Sequence, residues 1–101
     1  MAKEKIYAIV KHPGEAVGHI MEVENTLKGL QEVVGGYIET VTIATDLTII
    51  CDEEGQLKGK PHNCNVLGID LAGTIMAVGV DGPDFNDCPI SLDEWQKYFV
   101  N

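Results

Sequence analysis

The sequence predicts an α+β fold: a mainly antiparallel sheet of about five strands with two helices, in the order β-β-α-β-β-β-α. Three observations predict it. Short runs rich in β-formers are clustered rather than alternating one for one with helices. Only two stretches carry helical periodicity, and turn residues separate neighbouring runs closely enough for hairpins. The helices are expected to form a single layer on one face of the sheet.

Residues 4–11, EKIYAIVK, put Ile6, Ala8 and Val10 on one face and end at the turn His12-Pro13-Gly14. Residues 18–24, GHIMEVE, alternate Ile20 with Glu22 and Met21 with Val23, which suits a second strand with one wet face. Asn25 is a good N-cap for a helix in which Leu27, Leu30, Val33 and Val34 recur at helical spacing. Gly35 fits the left-handed residue that ends such a helix, and Gly36 lets the chain turn into a third strand, YIETVTI. DLTIICD, residues 46–52, is its hairpin partner, and Gly55 turns the chain in EEGQLKGKP. Residues 61–70, PHNCNVLGID, read as a loop or a short helical turn. AGTIMAVGV, residues 72–80, is another buried strand, bounded by glycines that suit bulges or tight packing. A polar loop, DGPDFNDCP, covers residues 81–89. Ser91 and Glu94 then form a capping box, Ile90 and Trp95 occupy the staple positions, and Leu92, Trp95 and Phe99 give the stripe of a C-terminal helix.

A chain of 101 residues, 45% hydrophobic and 23% charged, has the make-up of one globular domain over residues 1–101. No apolar run approaches the ~18 residues that span a bilayer. MAKEKIYAIVK lacks the basic-then-apolar order of a leader, so a cytoplasmic protein without membrane contact is expected. Cys51, Cys64 and Cys88 are odd in number and share no two-residue spacing, which suits free thiols in a reducing compartment. Charge is the most unusual property. Sixteen acids face seven lysines and no arginine, for a formal net charge of -9, and residues 46–101 hold ten of the acids. Such a chain is repelled by phosphate backbones and lacks the side chain best suited to bidentate phosphate contacts, so direct nucleic-acid binding is disfavoured.

The chemistry-bearing stretches each fall short of a site. A phosphate loop needs glycines after a strand and before a helix; Gly35-Gly36 follow a helix and open a strand, presenting carbonyls instead. His62 and Cys64 could pair as base and nucleophile, but no third group orients the imidazole. The loop bearing Asp81, Asp84, Asn86 and Asp87 departs from the calcium-loop pattern at Cys88 and Pro89. Asp52-Glu53-Glu54 is a charged strand end, and His12 and His19 flank the first turn. Neither an enzyme activity, a metal nor a cofactor is expected.

VKHPGEA, VENTLKGLQEVVGGYIETV, CDEEGQLKGKPHNCNV and GIDLAGTIMAVG together resemble the family called domain of unknown function 3846, over roughly residues 5–80. The resemblance rests on the helix with its double glycine, the E-E-G-x-L turn and the following P-x-N. It implies a setting rather than a reaction: small proteins of bacteria, phages and conjugative elements, among whose cargo are acidic inhibitors of host restriction and CRISPR nucleases.

Two functions follow as expectations. The first is an anti-defence inhibitor of a nuclease, Cas9-type or restriction, that engages a basic surface through Asp52, Glu53, Glu54, Asp81, Asp84 and Asp87. The alternative is a small-molecule module, or a homo-oligomeric sponge for a nucleotide signal, with Tyr37, His62 and Asn63 in its pocket. An exposed strand edge leaves a homodimer open.

Overall fold

The computed structural model describes residues 3–101. The fold is α+β and every strand pairing is antiparallel, as expected, but nine strands are formed among the described residues rather than about five. In chain order these are β1 (Lys5–Lys11), β2 (His19–Glu24), α1 (Leu27–Val34), β3 (Ile38–Ala44), β4 (Leu47–Asp52), β5 (His62–Val66), β6 (Ile69–Ala72), β7 (Ile75–Asp81), β8 (Asp84–Asn86), α2 (Leu92–Trp95) and β9 (Phe99–Val100). The larger sheet runs β2-β1-β7-β4-β3, with β8 also paired to β7; a second sheet runs β6-β5-β9.

Alternation along the central strands explains the layering. Ile9, Leu47, Ile49, Ile75 and Ala77 point to one face, where they meet Cys64, Val66 and Leu71 of the small sheet and Trp95 of α2. Ala8, Val10, Ile50, Met76 and Val78 point to the other, where Leu30 and Val34 of α1 cover them. Because both faces of β4 and β7 are buried, their sequences read as continuous apolar runs. Both faces therefore need a cover, and α1 and α2 lie on opposite faces rather than in one layer.

Four local readings are corrected. Residues 61–70 are neither loop nor helical turn: they supply β5 and the start of β6, joined by Leu67-Gly68. Leu67 and Gly68 have φ of 51° and 90°, the backbone of a two-residue hairpin turn, but a leucine in the first place hides the signal that asparagine or glycine would give. A bulge between His62 and Cys64 further breaks the alternation. Within the expected polar loop, residues 84–86 pair with β7. At the C-terminus the capping box forms, but α2 ends at Trp95, and Phe99 returns as β9 beside β5 with its ring 5.0 Å from that of Trp95. The N-cap of α1 is Thr26, whose hydroxyl accepts the Gly29 N–H at 3.0 Å; Asn25 instead ties the strands by donating to the Lys3 and Phe85 carbonyls. Leu27 stays exposed. No helix among the described residues is long and apolar enough to cross a membrane.

Candidate functional site

Asp52, expected at the surface, has a side chain with no exposure at all. It closes β4, whose even-numbered residues point under α1, and the chain folds over it. Lys60 and Lys58 place their ammonium groups 2.6 Å and 3.0 Å from Oδ2, and the Glu54 N–H donates to Oδ1 at 2.9 Å. Burial alone would raise this carboxyl, but the hydrogen bonds from Lys60, the Glu54 amide and Lys58 outweigh it and bring it down to about 2. Lys60 Nζ also donates to the Val34 and Gly35 carbonyls, satisfying the end of α1 where the helix dipole is negative.

This explains the double glycine. Gly35 is the left-handed cap with φ 77°, its N–H bonded to the Gln31 carbonyl. A Cβ on Gly36 would stand 2.6 Å from the Asp52 carboxylate. The pair is thus a helix stop over a buried anion, built for the protein's own carboxylate rather than for a phosphate.

The other expected contact residues do not form one surface. Asp81 and Asp84 pair across the β7–β8 turn, and the Val80 N–H donates to the Asp46 carbonyl, which puts that turn at the start of β4. Glu53 and Glu54 follow the end of the same strand, roughly 20 Å away at about 3.3 Å per residue. Asp87 sits beside β1, bonded by Lys3 Nζ at 2.6 Å and by the Tyr7 N–H, which together lower its carboxyl.

What the structure does assemble is a cleft of about 340 Å³ between the two sheets. β3 and β4 supply Glu39, Val41 and Cys51, β6 supplies Ile69, Asp70 and Leu71, and the turn after β4 adds Glu53 and Leu57. Its floor is apolar and its rim carries carboxylates. Among the described residues Glu39, Glu53 and Asp70 make no ion pair, and Leu57 stands 87% exposed at the mouth. Glu39 reaches the cleft because alternation puts it on the same face as Val41 and Ile43. That spacing, an acid in phase with the apolar face of YIETVTI, was the signal sequence reasoning passed over.

Comparison with known proteins agrees with the residues already described. The family model "Domain of unknown function (DUF3846)" matches residues 5–100. The chain belongs to this family. No curated protein and no solved structure matches it.

In this DUF3846 chain the stretches that carry the resemblance are the ones that hold buried polar groups. The double glycine and the E-E-G-x-L turn surround Asp52. The P-x-N ends in Asn63, which is 3% exposed and joins the sheets: its Nδ2 donates to the Lys11 and Gly73 carbonyls at 2.7 Å and 2.8 Å, and its Oδ1 accepts Lys11 Nζ at 3.0 Å. Lys11 is fully buried, with its ammonium 5.3 Å from the centre of the Phe99 ring. Asn63 therefore spends its amide inside the fold, while Tyr37 and His62 are exposed.

Burial, then the Glu39 and Asp52 carboxylates, push the Cys51 thiol at the cleft floor up to about 11. Burial likewise raises Cys64 and Cys88, so all three thiols are held in the weakly nucleophilic protonated form. The bulge leaves His62 exposed and Cys64 fully buried, so the two do not meet as base and nucleophile. Among the described residues no group of three acidic, histidine or cysteine side chains is placed to hold a metal.

Proposed function

We propose that this protein is a non-catalytic binding protein that engages a basic protein surface, and that its partner is a host defence nuclease, Cas9-type or restriction, whose nucleic-acid channel it obstructs. One observation carries the reading: a net charge of -9 without a single arginine, with Glu39, Glu53 and Asp70 gathered at one cleft and making no ion pair among the described residues. Carboxylates held on a compact surface compete for the lysines and arginines that otherwise grip phosphates. The mobile-element setting implied by the family resemblance supplies the class of partner.

The test is cleavage by a guide-loaded Cas9 and by a restriction endonuclease, each titrated with the protein over a range of salt. The reading expects inhibition that weakens steeply as the Debye length falls from about 10 Å at 0.1 M to about 3 Å at 1 M salt. Undiminished cleavage by both nucleases at low salt overturns it.

A further inference from the structure

We infer that β3 is a docking edge, and that its occupant is an extended segment of a partner protein in which basic side chains alternate with apolar ones. The inference rests on the binding-protein reading for the charge of the partner; the mode of docking comes from the geometry of the edge.

β3 is seven residues long and pairs only with β4 among the described residues. Its Tyr37 carbonyl end is tied to the Glu53 N–H across the ladder, so alternation turns the amides and carbonyls of Ile38, Thr40 and Thr42 away from β4, toward open space. Proteins usually blunt such an edge with lysine, proline or a covering loop. IETVTIA carries neither lysine nor proline, its one ladder irregularity falls at the far end between Thr42 and Ala44, and its β-branched residues keep it extended. The opposite edge strand of the same sheet, β2, carries two acids, Glu22 and Glu24, where β3 carries one, Glu39.

Glu39 and Val41 of the β3 ladder themselves line the cleft. A strand added to β3 projects alternate side chains onto the face of Glu39, Val41 and Ile43, which is the cleft side. There Glu39, Glu53 and Asp70 call for lysine or arginine at every second position, and the residues between them fall on the opposite face, beside Ile38, where apolar side chains continue its packing. The main chain supplies affinity and the alternation supplies selectivity, as in other strand-addition complexes. A second copy of the chain suits the edge less well, because it would bring a second Glu39, on a body of net charge -9, to a surface that is already acidic.

The test uses a fluorescein-labelled, end-capped heptapeptide of alternating lysine and valine, with a glutamate–valine peptide as control, read by anisotropy against the whole protein. The wild type is expected to bind the basic peptide and not the acidic one. Thr40→Pro removes an outward N–H that β4 does not use, a substitution an edge strand tolerates, and is expected to weaken binding at least 10-fold at an unchanged melting temperature. Glu39→Lys is expected to weaken it several-fold. If Thr40→Pro fails to fold, N-methylation of alternate peptide amides, in each of the two phases, is the equivalent probe: one phase is expected to abolish binding and the other to spare it. Equal binding by wild type and Thr40→Pro, or by both methylated peptides, overturns the docking edge. So does sedimentation showing a dimer that Thr40→Pro dissociates, which assigns the edge to a second copy. Peptide binding that survives while no nuclease is inhibited overturns only the choice of nuclease partner.

Discussion

Asp52 and Glu53 are neighbours in the chain and opposite in circumstance. Asp52 is sealed under α1 with two lysines and a backbone amide around it; Glu53 stands at the mouth of the cleft and makes no ion pair among the described residues. One carboxylate organises the fold, and the next faces outward into solvent. Residue type says nothing about which is which. The difference comes from strand phase: Asp52 is the last residue of β4 on the α1 side, whereas Glu53 begins the turn.

The comparison can be broken most forcefully at Asp52. Asp52→Asn keeps the shape but leaves Lys58 and Lys60 without their anion, and is expected to cost about 3 kcal/mol in urea unfolding, the lower end for breaking a buried pair because both lysines keep some contact with water. Acid probes the same group without mutation. The folded carboxyl lies at about 2 against an ordinary 3.8, so its stabilisation is fully present above the unfolded value and is lost as pH falls through the interval between them. About 2 kcal/mol is expected to disappear between roughly pH 4 and pH 2 beyond what Asp52→Asn loses over the same range. Gly36→Ala forces a methyl against the carboxylate at 2.6 Å and is expected to cost roughly 2 kcal/mol, with partial recovery in the Asp52→Ala background, where the space is free. Glu53→Lys is the contrasting case: stability is expected to stay within about 0.5 kcal/mol of wild type, while affinity for a basic partner drops. A large loss of stability in Glu53→Lys would erase the distinction between the two carboxylates.

Much of the fold was legible in the sequence. β1, β2, β3, β4 and β7 announced themselves by alternation or by an apolar run, and Ser91-x-x-Glu94 marked the capping box. The small sheet did not, for physical reasons that can be named. Its turn uses Leu67 in the left-handed region, its first strand is bulged so that Asn63 and Cys64 are both buried, and its third strand is two residues long, below any period. The candidate site was less legible than the fold, because it lies between sheets and so depends on the small sheet, which was missed. Charge counting found the acidic second half but could not tell that Asp52 is consumed inside, nor that Glu39 and Asp70, from distant stretches, share a rim.

Trp95 is the chain's single tryptophan, wholly buried between the two sheets with its indole N–H bonded to the Val17 carbonyl at 2.9 Å. It gives the molecule a built-in optical gauge of the joint that Asn63 stitches. Its emission should lie to the blue in the folded protein and move to the red as soon as the small sheet lifts away, whether or not the large sheet has yet come apart. A red shift that runs ahead of the loss of far-ultraviolet dichroism would therefore time the separation of the two layers, with no label added to the surface.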